Sequence, residues 1–125
     1  MNTISFTATV VPGAGRGKTL NAPTLNLALD AAPRALSHGV YACFVTFDGS
    51  TEKLLGALHY GPRLVFGDSV SLEVHLIDRT IATSPASLNV DVVSRIRDVQ
   101  HFDSPASLMS AIQQDVSSIR TLLLP

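Results

Sequence analysis

The sequence predicts a mainly β protein, a small closed antiparallel barrel or sandwich with one helix packed outside it. Apolar and polar residues alternate through successive segments that are separated by glycine, proline and aspartate turn signals. Alternation with a period of two residues is typical of half-buried strands. Beyond Ser104 the apolar residues recur every three or four positions instead, which indicates an amphipathic helix. Several strands followed by one helix favour this fold class.

The strand pattern is found in five or six segments, which are residues 1–11, 23–29, 39–47, 52–60, 70–78 and 87–96. The first segment alternates apolar residues with serine and threonine. The second is short, and its polar residues Thr24 and Asn26 face one side while its leucines, Leu29 included, face the other. Residues 30–38 contain a proline and are expected to form a loop.

The later strand segments are joined by recognisable turns. The third segment is rich in aromatic and β-branched residues and ends at Asp48-Gly49, a hairpin signal, so the fourth is expected to return as its partner. Residues 61–69 and 80–86 are predicted loops on either side of the fifth segment, in which the alternation is strict. The sixth segment is the last long strand.

The C-terminal helix has both a start signal and an apolar stripe. Ser104 is a typical N-cap residue, and a proline at the first helical position follows it. The stripe is formed by Leu108, Ile112, Val116, Ile119 and Leu123. Its three- and four-residue steps predict one helix that lies with a single face on the barrel.

Length and composition predict one domain over residues 1–125. A formal net charge of −1 and a pI near 6.4 argue against a general nucleic-acid binder, which would carry a basic stripe. The chain shows no signal-peptide pattern and no apolar run of membrane-spanning length, so we expect a cytoplasmic protein without a membrane partner. We also expect a monomer. The lone Cys43 lies in an apolar run and is expected to be a small buried hydrophobe.

A glycine-rich stretch between the first two strands is the strongest functional signal. Gly13, Gly15 and Gly17 lie beside Arg16 and Lys18. Glycines leave backbone N–H groups open to phosphate oxygens, and the two cations supply countercharge. The spacing fits neither a Walker A loop nor a dinucleotide-binding fingerprint. The stretch therefore predicts a phosphate loop, with a plain hairpin turn as an equal alternative.

Thr24 and Asn26 follow this stretch and lie two residues apart in an extended segment, so their side chains point the same way. A hydroxyl and an amide oxygen together suit a hard cation such as Mg²⁺, which takes few protein ligands and keeps several waters. The alternative is a pair of polar residues that satisfy nearby backbone groups. The neighbouring glycine stretch favours the metal-binding interpretation.

Glu73 is a carboxylate in the middle of a strand, on the face opposite four aliphatic residues. It is either a routine surface charge or a residue that lines a cleft. His75 shares its face and is expected to act as a hydrogen-bonding residue. The other histidines have no ligand spacing, so no zinc or iron site is predicted; they are His38, His59 and His101.

Taken in order, the motifs of the chain match one known family. They are residues 13–20 (GAGRGKTL), 23–27 (PTLNL), 39–42 (GVYA), 61–63 (GPR) with 66–67 (FG), 72–78 (LEVHLID) and 95–98 (RIRD) with 102–104 (FDS). This ordered set resembles the riboflavin kinase (flavokinase) family, including the kinase module of bifunctional bacterial FAD synthetases. The similarity covers almost the whole chain.

The resemblance implies a six-stranded antiparallel Greek-key barrel with a C-terminal helix. It implies transfer of the γ-phosphoryl group of ATP to the 5′-hydroxyl of riboflavin, which gives FMN and ADP. In that family pattern residues 13–18 and Thr24 would bind the nucleotide phosphates, Thr24 and Asn26 would hold Mg²⁺, and Glu73 would be the catalytic base. Arg97 and Phe102 would lie near the flavin.

The sequence also departs from the family pattern, mainly in loops. His59 stands where the family usually has asparagine, and the other departures include Leu64, Arg79, Thr83, Ser84, Pro85 and Val99. A second hypothesis is therefore a catalytically weak member that binds flavin or nucleotide as a sensor or interaction module. A third, a small barrel that binds nucleic acid, lacks a basic face.

Overall fold

The computed structural model describes residues 4–11, 24–62, 70–81, 83–100 and 104–123. Within these ranges the chain forms six β-strands and one α-helix: β1 (Ile4–Val11), β2 (Thr24–Leu27), β3 (Gly39–Phe47), β4 (Leu54–Pro62), β5 (Val70–Leu76), β6 (Ser87–Arg97) and α1 (Pro105–Leu123). The predicted phosphate loop, residues 13–18, and Phe102 lie outside the described residues, so their roles stay predictions.

The six strands close into a barrel in the order β1-β2-β5-β4-β3-β6, with β6 pairing back onto β1. Every neighbouring pair is antiparallel. Because β2 pairs with β5 and β3 with β6, two connections skip over strands, as in a Greek key. The predicted barrel is confirmed, and it brings β2 and β5 together although they are distant in sequence.

One face of each strand fills the barrel. On β5, Leu72, Val74 and Leu76 are at most 2% exposed and belong to the main apolar cluster. Leu25 of β2 belongs to the same cluster, so the polar residues beside it lie on the outer surface. Cys43 is fully buried there, as predicted, and burial raises the pKa of its thiol.

Helix α1 packs on the outside of the barrel, as predicted. Ser104 caps it, because its Oγ accepts a hydrogen bond of 3.2 Å from the backbone N–H of Ser107. Ile119 is fully buried in a second apolar cluster with Ala42 and Ala57, which lie on β3 and β4. The helix therefore covers the outer surface of these two strands.

The prediction for the end of the second strand is wrong. β2 ends at Leu27, and a short 3-10 helix occupies Leu29–Ala31. Local bonds replace the strand ladder there, since the Ala31 N–H donates to the Ala28 carbonyl at 3.0 Å. Leu29 consequently leaves the core side and is 46% exposed.

Candidate active site

The pairing of β2 with β5 brings the predicted site residues together. Asn26 lies directly opposite Glu73, and Thr24 lies opposite His75. Directly opposed residues of an antiparallel pair have Cβ atoms about 5 Å apart and share one face of the sheet. The hydroxyl and amide that were predicted to hold a metal and the predicted catalytic carboxylate therefore lie side by side on the outer surface.

The next strand extends this arrangement. In the pairing of β4 with β5, His59 lies opposite Glu73. Asn26, Glu73 and His59 thus form a line across three strands, which is named the polar row. Glu73 is half-buried, and its Oε1 accepts a hydrogen bond of 3.3 Å from the Ser71 hydroxyl.

Thr24 and His75 form a hydrogen bond beside the polar row. The Thr24 Oγ1 and the His75 Nδ1 are 2.8 Å apart. Burial lowers the pKa of His75, against the opposing influence of the Glu73 carboxylate, so the neutral imidazole is favoured. In the tautomer that carries its proton on Nε2, the Nδ1 accepts a hydrogen bond from the Thr24 hydroxyl, whose lone pairs then point away from the ring.

A groove of about 300 Å³ opens next to Thr24 and Asn26. Its lining also includes residues from the end of β1 and from the segment before β6, namely Val10, Val11, Leu25, Ser84 and Pro85. Val11 and Thr24, the described residues on either side of the segment that contains the predicted phosphate loop, both line this groove.

His59 was not predicted as a site residue. Its side chain is 3% exposed, and among the buried side chains that the structure describes, its Nδ1 and Nε2 are the polar atoms without a hydrogen-bond partner. Burial lowers its pKa to about 4. The one sequence signal was that this histidine replaces the usual family asparagine; the register that puts it beside Glu73 could not be read from the sequence.

Arg97 connects the barrel to the helix. Its Nε and Nη2 donate to the two carboxylate oxygens of Asp115 at 2.9 and 2.8 Å, and Asp115 is 5% exposed. This pair borders a cavity of about 30 Å³ between the barrel and α1, which His59 and His75 also line. Contact of Arg97 with a flavin stays a prediction.

The residues that the structure describes contain no cluster of three or more histidine, cysteine, aspartate or glutamate side chains that could hold a metal ion. In the described part of the chain, no helix is long and apolar enough to cross a membrane.

A family model described as Flavokinase: Riboflavin kinase matches residues 1–123. The chain belongs to the riboflavin kinase family. It is 32% identical over 120 residues to the riboflavin kinase of Mus musculus, covering 91% of this chain and 77% of that one. It is 30% identical over 116 residues to the bifunctional riboflavin kinase/FMN adenylyltransferase of Pseudomonas fluorescens, covering 93% and 37%.

The riboflavin kinase fold is also found by structural comparison. The crystal structure of riboflavin kinase from Trypanosoma brucei matches with a TM-score of 0.64 at 19% identity, over 98% of this chain and 81% of that one. The predicted family and fold are confirmed. The chain spans 47% of the length of a Bacillus subtilis relative, the RNA-binding riboflavin kinase RibR, and 37% of the length of the Pseudomonas fluorescens relative. The single domain, the monomeric state, the cytoplasmic location and the lack of a nucleic-acid partner stay predictions.

Proposed function

We propose that this chain transfers the γ-phosphoryl group of ATP to the 5′-hydroxyl of riboflavin, giving FMN and ADP. The observation that carries the proposal is the cross-strand pair of Asn26 and Glu73, with Thr24 on the same face beside a groove. Family membership supports the reaction class. The pair supports a common site for metal-bound phosphates and the acceptor hydroxyl.

Glu73 is the proposed base. As the riboflavin oxygen forms its bond to the γ-phosphorus and the bridging oxygen leaves with ADP, the hydroxyl proton passes to the Glu73 carboxylate. Phosphoryl transfer has a loose transition state, so orienting the hydroxyl matters more than strong basicity. Ser71 restrains Oε1 of the carboxylate, which leaves Oε2 for the substrate hydroxyl.

Thr24 and Asn26 are the proposed protein ligands of Mg²⁺. Their donor chemistry fits, because a hydroxyl and an amide carbonyl are hard neutral oxygens and Mg²⁺ accepts a few such ligands alongside phosphate and water. The ion, when bound, neutralises charge on the nucleotide phosphates. His75 is proposed to support this role in the tautomer that carries its proton on Nε2, in which Nδ1 accepts the hydrogen bond of the Thr24 hydroxyl and fixes its direction.

The phosphate and flavin contacts complete the proposal. Residues 13–18 are proposed to cover the nucleotide phosphates, since the described residues on either side of that segment, Val11 and Thr24, both line the groove. Arg97 and Phe102 are proposed to lie near the flavin ring. Of these two, Arg97 borders the junction of the barrel with α1, where its guanidinium already contacts Asp115.

The test is incubation of the chain with riboflavin, ATP and Mg²⁺, followed by chromatography for FMN. Glu73→Gln keeps the side-chain shape but removes the proton acceptor and should lower kcat on the order of 100-fold. Thr24→Ala removes one metal ligand and should raise the Mg²⁺ concentration needed for half-maximal rate. Both effects follow from the positions of these two side chains in the site.

Two variants with the same chemical changes serve as controls. Glu52→Gln alters a carboxylate that is 58% exposed, and Thr7→Ala alters an exposed threonine of β1; both should keep the wild-type rate. A loss of about tenfold or less in Glu73→Gln would contradict the base role. Riboflavin binding by the wild-type chain without FMN formation would favour the binding-module hypothesis instead.

A further inference from the structure

His59 combines burial with two ring nitrogens that have no partner. A neutral imidazole carries one donor and one acceptor. Buried polar groups in folded proteins nearly always find a partner in the protein or in ordered water. The two ring nitrogens of His59 therefore indicate a partner that is either a neighbouring side chain of the site or an ordered water.

The first candidate partner is Glu73. The register of β4 on β5 makes the two residues direct cross-strand neighbours, and both lie on the outer surface. The Glu73 carboxylate also influences the pKa of His59, in the direction opposite to burial, as expected for two close groups. The Glu73 carboxylate is therefore the charged acceptor that lies directly beside the imidazole in the register of the sheet.

The second candidate partner is water. The cavity of about 30 Å³ between the barrel and α1 is lined by His59 and, among polar side chains, also by His75, Arg97 and Asp115. A space of this size holds about one or two water molecules, and this lining offers each of them several hydrogen-bond partners. A water there can bond His59 and the Asp115 carboxylate at once.

We propose that His59 is a positioning residue for Glu73. One ring nitrogen donates its N–H to the Glu73 carboxylate. The other accepts a hydrogen bond from a buried water, which donates its second hydrogen bond to the Asp115 carboxylate. The imidazole thereby fixes the carboxylate in the direction of the riboflavin hydroxyl. The inference rests on the proposed kinase function, because that function defines the task of Glu73.

The test compares His59→Leu, which removes both nitrogens, with His59→Asn, which retains a donor and an acceptor. His59→Leu should lower kcat about 10- to 100-fold, with the KM for riboflavin changed by less than about threefold. His59→Asn should recover most of that loss. Leu58→Met, a change of similar size on the same strand but inside the barrel, is the matched control and should keep the wild-type kcat.

The split between kcat and KM, together with rescue by His59→Asn, separates positioning from a merely structural role. A loss of stability alone would lower the amount of folded protein and leave the kcat of the folded fraction unchanged. Wild-type kcat in folded His59→Leu would overturn the inference.

A spectroscopic readout decides the inference even without turnover. If the wild-type chain forms no FMN, the kinase proposal fails, whereas the contact of His59 with Glu73 is still measurable. The ¹⁵N shifts of the His59 ring, recorded by NMR in the wild-type chain and in Glu73→Gln, should differ, because the N–H loses its charged acceptor. Identical shifts in the two proteins would overturn the inference.

Discussion

The interior of the barrel and the polar row on its surface are built by the same strands in opposite ways. Along β5, Leu72 and Val74 point inward and are 2% and 0% exposed, whereas Glu73 between them is half-buried on the outer surface. On β4, Leu58 is fully buried inside and His59 follows it on the outside. Adjacent residues of one strand therefore point to opposite faces, so that one packs in the interior and the next belongs to the polar row.

The interior and the polar row also differ in the interactions that their side chains require. The interior needs only apolar area, and leucine and valine side chains fill it. The polar row needs hydrogen-bond partners, and His59 has none in the described structure. Substitutions inside the barrel should therefore change the free energy of unfolding but not the chemistry, and substitutions in the polar row should mainly change the rate.

The largest expected change in stability comes from the interior. Leu58→Ala leaves a cavity among fully buried neighbours and should lower the free energy of unfolding by about 2–5 kcal/mol in urea denaturation. The kcat of the folded fraction should equal that of the wild type. Leu122→Ala, at a leucine that is 54% exposed, is the control and should change stability by less than about 0.5 kcal/mol. A reduced kcat in folded Leu58→Ala would show that the interior also affects the chemistry.

The titration of His59 in the polar row should make the free energy of unfolding depend on pH. Burial lowers the pKa of His59 from 6.5 to about 4, so below pH 6.5 the unfolded chain binds a proton that the folded chain excludes. The folded state is therefore destabilised as the pH falls, by up to about 3 kcal/mol between pH 7 and pH 4. Burial of His75 acts in the same direction.

Urea unfolding at several pH values measures this effect. His59→Asn removes one titrating group, so its free energy of unfolding should fall less steeply from pH 7 to pH 4 than that of the wild type. The part of the slope that His75 causes should remain. Parallel curves for the two proteins would mean that folding does not lower the pKa of His59.

The strands were predictable because alternation is a local property. The segment with Glu73 shows strict alternation, and the structure gives it the predicted inner and outer faces. The same local argument separated Thr24 and Asn26 from the core leucines. Leu29 was misplaced because a 3-10 turn that closes on the local backbone ended the strand, and no alternation signal marks that point.

The register between strands was not predictable. Asn26 and Glu73 are far apart in sequence, and no short turn connects β2 to β5 and fixes their alignment. A shift of one residue would put Glu73 opposite a core leucine instead of Asn26. For the same reason, the place of His59 beside Glu73 and the approach of Asp115 from the helix were visible only in the folded barrel.

The smallest predicted effect distinguishes two ion pairs of α1. In the Arg97–Asp115 pair the side chains are 20% and 7% exposed, whereas in the Arg120–Asp78 pair they are 47% and 49% exposed. Asp115→Asn removes the carboxylate that accepts two hydrogen bonds from Arg97 in a buried place and should cost about 2 kcal/mol in urea unfolding. Asp78→Asn keeps a residue that tolerates the positive φ of 58° at this position and removes only an exposed pair, so it should change stability little. Equal losses would show that burial does not separate the two pairs. Asp115 also lines the cavity at His59. A loss of kcat in Asp115→Asn but not in Asp78→Asn would therefore show that the helix contributes to the function of the polar row.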